Sequence, residues 1–89
     1  MPETQSREKL DQYNAAVNQL QASDSFEEGT ALAVSGDYEG AAKAYDRSIN
    51  LRPDNAKAYF NRSVVYIYLG DYTRATSDLD RAMAIRPAN

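Results

Sequence analysis

Cysteine and histidine are both missing from this sequence of 89 residues. Without cysteine the chain forms neither a disulfide nor a thiolate metal site, and without histidine it lacks the commonest general base and metal ligand. The carboxylates that are present are not accompanied by a nucleophile with an adjacent base. Glycine is scarce, and Gly36 and Gly70 stand alone rather than in a phosphate-binding loop. We therefore predict that the protein is not an enzyme and holds no metal or cofactor.

Net charge and apolar runs are equally modest. The 13 acidic and 10 basic residues leave a formal charge of −3, and no basic stripe stands out, which argues against a nucleic-acid partner. No apolar run approaches the length that spans a membrane, so we predict no membrane insertion. The first residues lack the apolar core of a signal peptide. We expect a cytoplasmic protein, although a domain cut from a longer chain would have lost any such signal.

The chain does contain an internal repeat with a period of 34 residues. Aligning residues 22–55 with residues 56–89 gives 11 identical positions out of 34, whereas average composition gives about two by chance. The identical pairs are Ala22/Ala56, Phe26/Phe60, Gly36/Gly70, Asp37/Asp71, Tyr38/Tyr72, Ala41/Ala75, Asp46/Asp80, Arg47/Arg81, Arg52/Arg86, Pro53/Pro87 and Asn55/Asn89. A fixed period in this range indicates stacked repeats, each burying its apolar face against its neighbour. Such an architecture favours a binding scaffold.

Helix start and stop signals recur at the same period. Gly36 suits the left-handed position that ends a helix, and Asp37 follows as the N-cap of the next helix. Pro53 ends that helix, and Asp54 or Asn55 caps another. The second unit repeats this chemistry with Gly70-Asp71 and Pro87. These signals predict helices over about 38–51, 56–69 and 72–86.

The first third of the chain leaves two interpretations open. Leu10, Tyr13, Val17 and Leu20 recur at spacings of 3, 4 and 3, which predicts a helix with one narrow apolar stripe. The capping cluster Ser23-Asp24-Ser25 then predicts a second helix that runs to Ser35, for about five helices in total. However, no glycine or proline enforces a break, so one continuous helix from Ser6 to Ser35 is the alternative.

Residues 22–89 resemble the tetratricopeptide repeat, a helix–turn–helix of 34 residues. The matching positions are Gly29, Leu32, Gly36-Asp37-Tyr38, Ala41, Tyr45, Ser48 and Pro53 in one unit, and Tyr59, Ser63, Tyr66, Gly70-Asp71-Tyr72, Ala75, Leu79, Ala82 and Pro87 in the other. One departure is Ser25, which replaces the usual large residue. The resemblance implies an all-α fold, an α-α superhelix of antiparallel helix pairs. It divides the chain into an N-terminal amphipathic helix (1–21) and two repeats (22–55 and 56–89).

The resemblance also implies a binding groove on the concave face, lined by the first helix of each unit. The groove residues that it implies are Phe26, Thr30, Val34, Lys57, Phe60, Asn61, Val64 and Tyr68. This surface is apolar for a groove open to water, so we predict that it binds a peptide or helix segment of a protein partner. Alternatively, the N-terminal helix of the same chain or of a neighbour covers it. Some family members clamp a chaperone's terminal carboxylate, but of the clamp positions only Asn61 matches.

A second hypothesis is self-association. The last helix is expected to expose Leu79, Met83 and Ile85, whose counterparts Tyr45, Ile49 and Leu51 are covered by the next unit. Stacks of this kind generally need about three units with polar caps. The chain is therefore either a fragment of a longer array or it self-associates, and we predict that it can form homo-oligomers through its uncapped terminal helices. The identity of a protein partner is not encoded in any motif of the sequence.

Overall fold

The computed structural model describes the backbone of residues 2–85 and the side chains of residues 6–85. Within that range the chain forms four helices: α1 (Pro2–Ser35), α2 (Tyr38–Leu51), α3 (Ala56–Tyr68) and α4 (Tyr72–Ala84). Helix α1 packs on α2, α2 on α3, and α3 on α4. The predicted all-α fold is therefore confirmed. The last helix ends at Ala84, two residues before the predicted Arg86, because Ile85 is already extended. The predicted stop at Pro87 and the end of the second repeat at Asn89 lie outside the described residues.

The first helix is continuous, so the structure has four helices rather than about five. Of the two interpretations, the unbroken helix is the one observed, and the capping cluster at residues 23–25 does not interrupt it. The physical reason is that α2 packs across this junction. The buried hydroxyl of Ser48 on α2 donates a 2.8 Å hydrogen bond to the carbonyl of Ala22. A neighbour that contacts both sides of the junction stabilises the helical path more than a side-chain cap stabilises a break.

Both predicted turns have the expected chemistry. Gly36 and Gly70 adopt φ angles of +91° and +79°, where a Cβ would cost energy. After each glycine, an aspartate caps the next helix, since Asp37 accepts from the backbone N–H of Gly40 and Asp71 from that of Arg74. The backbone N–H of Asp37 also donates to the carbonyl of Leu32, as in the helix endings that glycine favours.

The core consists of small residues at the helix crossings and large ones between them. Ala41, Ala44, Ala58, Ser48 and Ser63 have no exposed surface. One cluster joins α2, α3 and α4 through Ala41, Ala42, Tyr45, Val65, Tyr66 and Ala75. A second joins α2 and α3 through Ile49, Ala58 and Tyr59. Helices can approach closely where side chains are small. The second helix pair therefore packs on the first, mainly through α2 and α3.

A part-buried ion triad ties three helices together. The Arg62 guanidinium donates two hydrogen bonds to Asp78 on α4, at 2.8 and 2.7 Å, and one of 2.8 Å to Asp46 on α2. The bond with Asp78 raises the pKa of Arg62 above its ordinary value, more than burial lowers it. Because Arg62 is engaged with two carboxylates, it is not free to meet a ligand.

Candidate functional site

A shallow pocket lies where α1, α2 and α3 meet, and we call it the groove pocket. Its volume is about 260 Å³. It is lined by Thr30, Ala33, Val34, Tyr38, Tyr45, Asn61, Val64, Val65 and Tyr68. Five of the predicted groove residues are thus brought together here: Thr30, Val34, Asn61, Val64 and Tyr68. They come from the C-terminal half of α1 and from α3, which are the first helices of the two units.

The rim of the groove pocket is apolar and open to solvent. Val34 is 84% exposed and Tyr68 is 66% exposed. Tyr68 stacks on Tyr38 with the two rings nearly parallel, 4.6 Å between centroids and 2° between planes. From the sequence, Tyr38 is only a matching position of the repeat and is not predicted to be a groove residue. No spacing in the sequence could have paired it with Tyr68, since the pairing depends on how α3 sits on α2.

The floor of the groove pocket carries hydroxyl groups that are already hydrogen-bonded. Thr30 donates to the carbonyl of Phe26 at 3.1 Å, and its oxygen lies 2.9 Å from the Tyr45 hydroxyl. Because the Thr30 proton is used toward Phe26, the Tyr45 hydroxyl is the donor of the second bond. Asn61, half-buried in the wall, adds an amide that can both donate and accept. The site therefore offers an apolar rim over a small polar floor.

The other three predicted groove residues lie elsewhere. Phe26 is half-buried and packs against both core clusters, with its ring 5.6 Å from that of Tyr45. Lys57 and Phe60 line a separate depression of about 420 Å³ between α3 and α4, which we call the end face. The register of the repeat placed these residues on one continuous surface. Packing separates Phe26 from Lys57 and Phe60, because α3 covers the part of the first unit that contains Phe26.

The end face also contains two of the residues predicted to self-associate. It is lined by Ala56, Lys57, Phe60, Leu79, Ala82 and Met83. Met83 is 73% exposed and Phe60 is 53% exposed. The third predicted residue, Ile85, is half-buried against the Ile49–Ala58–Tyr59 cluster and contributes to the core.

The N-terminal part of α1 does not cover the groove pocket. Residues 6–20, which we call the arm, are all exposed except for the half-buried Val17. From residue 6 onward, the first buried residue of α1 is Ala22. Because the helix runs on without a break, the arm extends away from α3. Coverage of the groove by the helix of the same chain, left open by the sequence, is thus not observed.

The described residues contain no group of three or more acidic, histidine or cysteine side chains placed to hold a metal ion. No helix among them is both long enough and apolar enough to cross a bilayer.

Stacked helix pairs with a 34-residue period and glycine–aspartate turns define a helical solenoid of repeats. The sequence profile of the TPR repeat matches residues 29–67, and that of the tetratricopeptide repeat matches residues 56–89. The two matches together cover residues 29–89, and the chain belongs to the tetratricopeptide repeat family. No curated protein sequence matches the chain.

Proposed function

We propose that this protein is an interaction module that binds an apolar or amphipathic segment of a partner protein in the groove pocket. Repeats of this family generally mediate protein–protein interactions. The observation that carries the proposal is the solvent-exposed apolar rim of Val34, Val64 and Tyr68 above a polar floor. Exposed apolar patches of this kind mark interfaces, and tyrosine is enriched among the residues that dominate binding energy.

The size of the groove pocket favours one anchoring side chain over a whole small molecule. Its volume of about 260 Å³ is below the roughly 300–1,000 Å³ of sites that enclose drug-sized ligands. A peptide can place one large apolar side chain against Val64 and Tyr68. Neighbouring backbone groups of that peptide can then reach the Asn61 amide. Fully burying such an anchor is worth roughly 1.5–3 kcal/mol.

An apolar ligand is favoured over a terminal carboxylate. Phe26 is packed in the core, the Thr30 hydroxyl is engaged with Tyr45, and Arg62 is paired with two aspartates. None of these positions supplies a free positive charge to the groove pocket. Only Asn61 matches the chaperone-tail clamp, and an amide alone lacks the charge that would offset the desolvation of a carboxylate.

Selection of peptides from a random library tests the groove. We expect wild-type protein to enrich peptides with a large apolar anchor, and the Val64→Asp/Tyr68→Ala variant to bind them at least tenfold more weakly. Met83→Lys, on the end face, is the matched control and should leave the affinity unchanged. Peptides that bind wild type and the groove variant equally would overturn the proposal.

Self-assembly is a second candidate function, and the exposure of Phe60 and Met83 on the end face favours it. A catalytic role has no support, because the family is typically a non-enzymatic scaffold.

A further inference from the structure

The end face is an apolar surface outside the groove pocket. Phe60 and Met83 are its exposed apolar residues, and Leu79 and Ala82 are half-buried. Among the described residues, Lys57 is the only charged one in its lining. An isolated apolar depression of this kind is stabilised when another apolar surface covers it.

The repeat register shows what kind of surface fits there. Moving each lining residue back by 34 positions gives the matching surface of the first unit: Ala22, Ser23, Phe26, Tyr45, Ser48 and Ile49. In that unit the surface is covered, since Ala58 and Tyr59 of α3 form one cluster with Ile49 and Phe26 packs against it. Ile49 is only 7% exposed, whereas its counterpart Met83 is 73% exposed. The end face therefore corresponds in the repeat to the surface of the first unit on which helix α3 packs.

The arm is a helix whose side chains are exposed, apart from the half-buried Val17. Leu10, Tyr13 and Leu20 are each more than half exposed, and Val17 completes the stripe. An isolated helix of this length is marginal in water, because most helical stability in proteins comes from packing of an apolar face. The arm is thus an amphipathic helix whose apolar stripe is free in the single molecule.

Part of the stripe has the spacing of the helix that covers the first unit. The buried residues of α3 are Ala58, Tyr59, Ser63, Val65 and Tyr66. Among them Tyr59, Ser63 and Tyr66 lie at spacings of 4 and 3, and Tyr13, Val17 and Leu20 of the stripe have the same spacings. In this alignment Tyr13 matches Tyr59 and Leu20 matches Tyr66. The arm can therefore present large side chains at the two tyrosine positions of α3.

We propose that the arm of one molecule packs on the end face of a second copy of the chain, in the position that α3 takes on the first unit. This inference rests on the self-assembly candidate and does not depend on peptide binding in the groove pocket. The contact joins two different surfaces. If it forms in both directions between two molecules it gives a two-fold dimer, and if it forms head to tail it gives a closed ring or an open chain of molecules.

Complementation between two variants of the full chain tests the contact by analytical ultracentrifugation. Leu10→Gln/Leu20→Gln removes the stripe but keeps the end face, and Phe60→Lys/Met83→Lys does the reverse. All four positions are exposed in the single molecule, and circular dichroism should show unchanged melting of the globular part. We expect wild type to gain mass with concentration. Each variant alone should associate at least tenfold more weakly, and their equimolar mixture should form a complex of one molecule of each.

Other outcomes overturn the inference in distinguishable ways. If the end-face variant alone still associates, arms pair with arms. If the stripe variant alone still associates, end faces pair with end faces. In both cases self-assembly survives while the proposed contact fails. If the wild-type protein stays monomeric at all concentrations, both self-assembly and the proposed contact are contradicted. The groove proposal is tested separately, by peptide selection. Val34→Gln, in the groove pocket, is the control that should leave association unchanged.

Discussion

Arg62 donates a hydrogen bond to each carboxylate oxygen of Asp78, from Nε at 2.8 Å and from Nη2 at 2.7 Å. The Asp78 side chain is 7% exposed, whereas that of Asp46, the third member of the triad, is 48% exposed. Two carboxylates with the same partner thus sit in very different environments. Solvent screens the Asp46 pair and leaves the Asp78 pair in a medium of lower polarity.

Asp78→Asn should destabilise the protein far more than Asp46→Asn. Removing one partner of a buried ion pair costs about 3 kcal/mol, at the lower end of the usual range because Asp46 still neutralises Arg62. The half-exposed Asp46 contributes at most about 1 kcal/mol. Urea unfolding followed by circular dichroism measures both variants. Equal losses of stability in the two variants would show that the two bonds to Asp78 contribute no more than the single bond to Asp46.

Gly29→Ala should destabilise the protein although alanine favours helices. A Cβ at this position would lie 2.7 Å from the ring of Tyr45, which is buried and held by Thr30. Overpacking costs about 1–3 kcal/mol, and the gain in helix propensity of about 1 kcal/mol offsets only part of it. Denaturation experiments give the net change.

Gly36→Ala is the matched control for that change. No atom of the described residues lies within 4 Å of a Cβ at Gly36, but its φ of +91° strains any other residue. Both variants should lose stability, while only Gly29→Ala should alter the near-ultraviolet signal of the tyrosines. An unchanged tyrosine signal in Gly29→Ala would contradict the close contact.

Ser48→Ala should cost about 1 kcal/mol, the usual value of one buried hydrogen bond. The loss should be accompanied by faster amide exchange around Ala22, where the hydroxyl of Ser48 ties α2 to α1. Ser63→Ala is the comparison, because the Ser63 hydroxyl bonds only to Phe60 within the same helix. Hydrogen exchange that is unchanged in Ser48→Ala would show that α1 is continuous for another reason.

Tyr68→Phe should keep peptide binding, while Tyr68→Ala should lose it at least tenfold. The phenylalanine ring preserves the stack on Tyr38 and the apolar rim, and the hydroxyl of an exposed ring remains in water. Affinities of a selected peptide, measured by fluorescence anisotropy, separate the two outcomes. A loss with phenylalanine as large as with alanine would assign the binding to the hydroxyl instead of the ring.

The turns and helix ends were predictable because their causes are local. Gly36 and Asp37 act on residues within one turn of themselves, and the structure confirms both roles. Burial was harder to predict, because it depends on the neighbouring unit. Phe26 and Phe60 occupy the same position of the repeat, yet Phe26 is packed in the core and Phe60 is exposed on the end face.

The same limit applies to the tyrosines that begin α2 and α4. Tyr38 is half-buried and stacks on Tyr68, whereas Tyr72 is 66% exposed. Identical residues in identical register differ because α3 follows the first unit and supplies the second ring. The continuity of α1 was undecidable for a related reason, since the contact that favours it comes from Ser48, 26 residues after Ala22.

The unbroken path of α1 also has a mechanical consequence. Its 34 residues span roughly 50 Å at 1.5 Å per residue, close to the 55 Å length of the whole molecule. A hinge at residues 23–25 would have let the first 20 residues swing independently. Without one, the angle between the two halves of α1 is fixed. A partner that binds the arm at one end of α1 therefore also fixes the orientation of the groove pocket at the other end.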